Sequence, residues 1–566
     1  MPALTRVVFA GIAVALAICA MAPAGLRAQT RDAVPTAVLG AWSWRAVGEA
    51  GDEPLASVTT DTAFPYRICG STTAGRTRCL PNRRDGEGNA PVVLEWIDFG
   101  GTTPVAIDPI DADVLYGGAV ARFDRRTAQQ QNVTPALEDG EPAPKGGLLF
   151  FAPNDPRTLF FATSTIRKTG NSGLNWTPVP SGPSAITISA VAISPVDSRT
   201  MWLARADGAL AVTRDSGVTW TDATAPSSAS AAFAGAIEPS RFDPATAYIV
   251  TRNGANASVA TRAFRTRDGG RTWQAMDAGL DPGVTVNVVR EDPLRRGLLF
   301  AATSSGVAVS IDDGDSWQSL TLNLPAGEVV DLVLRDADVI AALRTGGFWV
   351  LDDMSPLRQL TVDVLRQDAF LFRPAQAWRP RTHATAAMSL AYATGPGLAG
   401  SLTLEVIETA SGDVIRRFAS NDTGAPLPSS PGLHRVTWDM RSTPIRGRGV
   451  LVQPGTYQLR LTAGARVFRQ AIVVRMDPRV RTSAADLDAQ FSLSKRVYLK
   501  VRELAGARSA EGVDPAQAAA LDQAAITLVE ILDILQQSDT RPTPALAAVA
   551  GAAIDRANAL LPLPQP

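Results

Sequence analysis

Four times in this 566-residue chain an acid or amide side chain stands shortly ahead of a tryptophan: Asn171 before Trp176, Asp215 before Trp220, Asp268 before Trp273 and Asp312 before Trp317. Acids repeated beside indoles are the first place to look for acid–base chemistry. Other reactive groups are sparse. His383 and His434 are the only histidines; neither stands at ligand spacing from another donor, so the sequence predicts no metal site and no cofactor. Nor does a nucleophile-elbow pattern accompany them, which leaves serine–histidine chemistry without a constellation. Asp352 and Asp353 form an acidic pair in the closing part of the repeats, but neighbours on a strand point to opposite faces.

The wider phrase decides what the repeated acids do. Its copies are Thr169-Gly-Asn-Ser-Gly-Leu-Asn-Trp176, Thr213-Arg-Asp-Ser-Gly-Val-Thr-Trp220, Thr266-Arg-Asp-Gly-Gly-Arg-Thr-Trp273 and Ser310-Ile-Asp-Asp-Gly-Asp-Ser-Trp317. Their tryptophans are 44, 53 and 44 residues apart, the period of a four-stranded propeller blade. The Asp or Asn oxygen can accept N–H groups of its own turn, and Gly173, Gly217, Gly270 and Gly314 can take the positive φ that such a turn needs. The tryptophan then packs into the seam between sheets. These residues are therefore predicted to pin hairpins. The phrase resembles the Asp-box, or BNR, repeat of sialidases, sortilin-type domains and many bacterial propellers.

A second phrase precedes the first: Asp108 to Tyr116, Pro153 to Phe160, Pro195 to Trp202 and Asp292 to Phe300 each read as a proline-marked turn followed by an apolar strand. Counting both phrases gives units near residues 101–140, 146–185, 188–229, 234–282, 285–325 and 328–360, with a degenerate one over 57–98. The expectation is a mainly β protein with a seven-bladed propeller, six or eight being the alternatives. Segments around Trp44 and around Phe348-Trp-Val-Leu351 are candidates for the strands that close the ring.

Composition narrows the class. A formal net charge of -1 supplies no field for nucleic acid. Residues 1–28 read as a signal peptide, with Arg6 before an apolar run and Leu26-Arg-Ala28 before the cut; Ile18 ahead of Cys19 departs from a lipobox. No later run is long enough for a membrane span. The expectation is a periplasmic or secreted protein, in which Cys69 and Cys79 flank a turn and favour a disulfide.

Beyond residue 365 the texture changes. Residues 374–380 read as a linker, and period-two strands within 366–480 predict an Ig-like β-sandwich. Residues 481–566 read as a helical hairpin or bundle: Ser483-Ala-Ala-Asp486 has the form of a capping box, and Leu521, Ala525, Leu528, Leu532 and Leu535 form one stripe. This assigns residues 29–365 to the propeller.

The order of parts is similar to that of exported bacterial BNR proteins of sortilin-like type, often labelled glycosyl hydrolases, with a FlgD-like Ig module. Trp44-Arg-Ala-Val-Gly48, Phe348 to Arg358, Pro454-Gly-Thr-Tyr457 and Met476-Asp-Pro-Arg479 carry the resemblance, and this chain resembles a shortened member with one propeller. Tyr66-Arg-Ile-Cys69 is similar to the sialidase segment whose arginine binds a substrate carboxylate, with cysteine in place of its proline. Sialidase chemistry also wants a tyrosine beside a glutamate, and none of the six tyrosines has such a neighbour in a loop. The sequence reading is a non-enzymatic platform that binds a protein in the periplasm or at a membrane surface, as an accessory or assembly subunit of a membrane-associated complex. The alternative is a sialidase- or xyloglucanase-like glycoside hydrolase, or a glycan-binding lectin, using the propeller's central pocket.

Overall fold

A computed structural model of the protein describes residues 36–48, 53–83, 96–99, 103–136, 147–181, 186–224, 232–253, 262–381 and 387–561. The predicted signal peptide over 1–28, Cys19 and His383 lie outside the described residues. Turn signals every few residues cut the first part of the chain into short strands, and these assemble into seven four-stranded antiparallel sheets. The first strands of the sheets are Thr59–Thr60, Ala106–Ile107, Leu148–Ala152, Ile188–Ile193, Ala232–Pro239, Val286–Glu291 and Val329–Arg335. Each touches the next, and the last touches the first, so the sheets are the blades of a closed ring with these strands around its axis.

Blade 7 takes its outermost strand from the start of the chain. Trp44–Val47 pairs antiparallel with Phe348–Leu351, Trp44 opposite Leu351 and Val47 opposite Phe348. Ring closure removes the exposed sheet edges that a linear stack would leave. It also dictates the exit: the chain leaves blade 7 from its third strand, at the end where the first and third turns of every blade lie.

Blades 4 to 7 share a bulge near the start of the inner strand, at Ser189, Gly235, Asn287 and Val330. Two bulge residues reach sideways: Ser189 Oγ donates to the Ala234 carbonyl at 2.7 Å and Asn287 Nδ2 to the Val329 carbonyl at 2.7 Å, each on the next blade. The second strand carries a buried aromatic at matching register in blades 3 to 6: Phe160, Trp202, Tyr248 and Phe300. The residues of the second sequence phrase thus fill the seams between blades.

Two further layers follow. A three-stranded sheet (Ala369–Leu371, Met388–Thr394, Gly432–Trp438) faces a five-stranded one (Ala377–Arg379, Leu402–Glu408, Val414–Ala419, Gly455–Ala463, Arg466–Met476) across a shared apolar core, an Ig-like sandwich. The predicted linker over 374–380 is corrected here: Ala377–Arg379 is a strand, parallel to Arg466–Met476, because Trp378 and Arg379 both have partners to bury against. Helices Ala484–Arg508, Pro515–Leu535 and Pro544–Leu560 then form a three-helix bundle. Ser483, Asp514 and Thr543 cap them, each accepting from a backbone N–H of the first turn. The stripe from Leu521 to Leu535 is buried as its spacing requires.

Candidate functional site

The repeated acids are bound within their own turns. In blade 4, Thr213 Oγ1 donates to Asp215 Oδ1 at 2.7 Å and accepts from the Gly217 N–H at 3.0 Å, while Asp215 accepts from the Thr219 N–H at 2.8 Å and its hydroxyl at 2.5 Å. Asp268 and Asp312 repeat this pattern with Thr272 and Ser316, and Asn171 repeats its backbone part with Asn175. Gly173, Gly217, Gly270 and Gly314 all have φ between 85° and 93°. The Thr219 bonds hold the Asp215 carboxyl down at about 2, and the Thr272 bonds do the same for Asp268. Such groups are ionised, saturated with donors and poor proton donors near neutrality.

The tryptophans are staples between blades. Trp176 Nε1 donates to the Val133 carbonyl at 2.8 Å, Trp220 to Pro180 at 2.8 Å and Trp317 to Met276 at 2.9 Å. Each acceptor immediately follows the outer strand of the preceding blade. Trp44 on the closing strand obeys the same rule, donating to the Leu320 carbonyl at 2.9 Å. Trp273 is the exception: its buried indole N–H has no hydrogen-bond partner, and its ring packs edge-on against Trp202 with centroids 6.2 Å apart.

The residues that resemble sialidase positions are engaged in the fold. Arg67 is paired with buried Asp61 and with Asp113 at 2.8 Å, and donates to the Ala112 carbonyl at 2.6 Å. Cys69 and Cys79 sit opposite each other in register and are joined by a disulfide. Tyr66 donates to Asp338 at 2.8 Å, and burial, followed by Asp338, raises its phenol above its usual range. A tyrosine–glutamate contact does exist: Tyr248 lies 3.3 Å from Glu291 Oε1 and 2.5 Å from Asp313 Oδ1. The reading that no tyrosine has a neighbouring glutamate in a loop missed it because Glu291 ends an inner strand of the next blade, far away in sequence. The Tyr248 phenol is raised, first by burial and then by Glu291, so it is a neutral donor locked between two acids.

Asp352 and Asp353 follow the last propeller strand and diverge. Asp352 accepts from Nε and Nη2 of Arg45, each at 2.9 Å, whereas Asp353 accepts from the Ser355 hydroxyl at 2.6 Å. On the axis, Arg290 bridges blades 5 and 7, with Glu238 at 3.4 Å, Asp331 at 2.9 Å and the Leu332 carbonyl at 2.9 Å. Although ringed by inner strands, its side chain keeps 27% exposure. The signal for this cluster is a charge within each of three largely apolar strands, which the repeat phrases do not include. A cavity of about 420 Å³ lies on blade 2, lined by Arg122, Asp124, Thr127 and Gln129 to Gln131. Among the described residues no group of three His, Cys, Asp or Glu is placed to hold a metal, and no helix is long and apolar enough to cross a membrane.

The end of the propeller that carries the first and third turns is a contact surface. There the Arg358 guanidinium binds buried Asp292 at 2.9 Å and the Asp336 carbonyl at 2.6 Å, and Arg295 donates to the Leu357 carbonyl. Arg435 of the sandwich reaches the Asp352 carbonyl at 3.1 Å and lies over the Trp42 ring, and Trp378 packs on Phe64 of blade 1 with centroids 4.6 Å apart. One apolar cluster runs from Trp44 and Phe300 through Leu357 and Leu360 to Phe372, Ala391 and Leu433. The turns of blades 7 and 1 thus hold the sandwich by a core-like contact, and the blade 6 turn holds the helix Ser355–Gln359 that leads into it.

No protein-family model matches the chain, and no curated protein matches it. Its backbone is similar to that of a GH74 enzyme from Niastella koreensis (14% identity, 77% of this chain and 75% of that one, TM-score 0.41). It is similar to the GH74 xyloglucanase of Xanthomonas campestris (15% identity, 75% of each chain, TM-score 0.41). It is also similar to YCF48 from Cyanidioschyzon merolae (14% identity, 55% of this chain and 98% of that one, TM-score 0.41). The likeness is to distant propeller-like folds of unrelated families, and it falls on glycoside hydrolases and on YCF48 alike.

Proposed function

We propose that this chain is an exported protein-interaction platform, an accessory or assembly subunit of a membrane-associated complex rather than an enzyme. The observation that carries this reading is the core-like contact between the propeller's turns and the chain's own sandwich: that end of the ring already holds a protein domain in cis. The assignment to the periplasm or the extracellular space is supported by the signal-like leader and by the disulfide between Cys69 and Cys79. Crosslinking and mass spectrometry in the native cell envelope test the reading. Recovery of this chain with one stoichiometric membrane complex is the expected result; recovery only as a free protein removes the proposal.

A second reading, glycan binding or hydrolysis in the central channel, is favoured by one observation. Two carboxylates, Glu238 and Asp331, share the guanidinium of Arg290 on the inner strands around the axis. It predicts turnover of xyloglucan or a sialoside, or retention on a glycan array. Either would be lost in Glu238→Gln and Asp331→Asn, by about 100-fold or more for a general acid or base. Full retention of an observed activity in both variants would dismiss the channel as its seat.

A further inference from the structure

We propose, resting on the platform reading and making it specific, that the turn end of blades 2 to 6 is the docking surface for a folded protein partner with an aliphatic, weakly charged surface. In blades 2, 4, 5 and 6 the first turn places a large apolar residue at one equivalent position: Ile110, Val196, Phe242 and Leu294. Hydrogen bonding establishes the equivalence. The N–H of each donates to a side-chain oxygen two residues earlier: Ile110 to Asp108 at 2.9 Å, Val196 to Ser194 at 3.4 Å, Phe242 to Ser240 at 3.2 Å and Leu294 to Asp292 at 2.9 Å. The turn needs that oxygen and has no use for an apolar group at its tip, yet Ile110 is 62% exposed and Leu294 71%. Blade 3 has Asn154 in its first turn and carries Leu174 in its third, 71% exposed; Val218 in blade 4 is 72% exposed. Among the described propeller residues the other large exposed apolar side chains are Ile186 and Leu322, at the opposite end. Single exposed apolar residues need no explanation, but a set at equivalent positions on one end does.

The occupant follows from what adjoins this surface. Leu294 is next to Arg295, which donates to the Leu357 carbonyl of the helix Ser355–Gln359, so the apolar tips adjoin the segment that leads from the ring into the sandwich. In blade 1 the first-turn Phe64 is covered by Trp378, which does in cis what a partner would do in trans. Four of the neighbouring arginines are matched by aspartates of the same end: Arg126 with Asp111 at 2.7 Å, Arg199 with Asp197 at 3.2 Å, Arg267 with Asp313 at 2.5 Å and Arg296 with Asp243 at 3.8 Å. Paired charges leave little net field for a polyanion or an anionic bilayer, and they suit a protein surface of low charge.

A photo-crosslinking residue placed singly at Ile110, Val196, Phe242 or Leu294 of the full chain in its producing cell tests this, with Ile186 and Leu322 as controls. The expected result is one and the same protein crosslinked from the four turn positions and not from the controls. Its yield from Ile110 and Phe242 would fall about tenfold in the Val196→Asp/Leu294→Asp background. Exposed tips leave the fold intact, so an unchanged melting curve accompanies the loss. Capture of a partner from the control positions alone would overturn the assignment of the face while keeping the platform. No specific crosslink from any position would overturn both. Crosslinks to a second copy of this chain, or flotation with vesicles of anionic phospholipid that the aspartate variants abolish, would replace the partner with another occupant and overturn the proposal.

Discussion

Asp215 and Asp268 show how position turns an acid into a fastener. Their carboxyls sit at about 2, below the unfolded value of about 3.9. The stabilisation they add is therefore complete above about pH 4 and is lost as pH falls through about 2. The blade 3 copy carries Asn171 and has nothing to protonate there. Between pH 4 and 2, hydrogen-exchange protection relative to the intrinsic amide rate is expected to fall in residues 213–220 and 266–273 and to stay level in 169–176; a uniform fall would refute this account. The indoles separate in a similar way. Both Trp317→Phe and Trp273→Phe shrink a packed ring, but Trp317→Phe also removes the bond to Met276 and strands a buried carbonyl, whereas Trp273→Phe removes an N–H that has no partner, so Trp317→Phe is expected to cost about 1–3 kcal/mol more. Urea unfolding of the two variants measures the difference. The turn role of these residues was legible because Asp, Gly and Trp at fixed spacing describe one local hydrogen-bonded unit. Tyr248 with Glu291, and Arg290 with Glu238 and Asp331, were not legible, because each pair is brought together by packing between blades.

At the scale of elements, the strands were readable wherever turn residues punctuate them, and the blade count followed from the repeat. The short strand Ala377–Arg379 was not, since Pro374 and Pro380 mark it as a connection and only its partner Arg466–Met476 makes it a strand. The closing strand Trp44–Val47 has no Asp-box, yet Trp44 supplies the staple that the box tryptophans supply elsewhere. Trp44→Ala takes away that bond and a ring buried among Leu320, Leu351 and Met354, at a cost of about 3–5 kcal/mol. The expected readout is a lowered urea midpoint with faster exchange in residues 348–351, its pairing strand.

At the scale of the molecule, the sandwich is held on both sides. Towards the bundle, buried Arg379 binds Asp539 and donates to the Val452 carbonyl at 2.7 Å, and Gln536 accepts from the Leu451 N–H at 2.8 Å. Arg379→Ala leaves the Asp539 carboxylate in a dry site without its guanidinium, at a cost of about 3–5 kcal/mol, while Arg379→Met with Asp539→Leu recovers most of it. Limited proteolysis of the segment joining sandwich to bundle reports the change, and equal sensitivity of the single and double variants would contradict it. Docking of this kind is invisible in sequence, because an arginine on an edge strand carries no sign of an aspartate between distant helices. The closure of blade 7 bears on how the chain comes into being. A strand made among the first residues finds its partner, Phe348–Leu351, only after all seven inner strands exist. During synthesis from the N-terminus, Trp44–Val47 therefore waits as an unpaired edge while blades 1 to 6 accumulate, and the ring locks in one late, long-range step. Aggregation during production is accordingly expected to be worst for chains truncated before residue 348, and to drop once that strand is included.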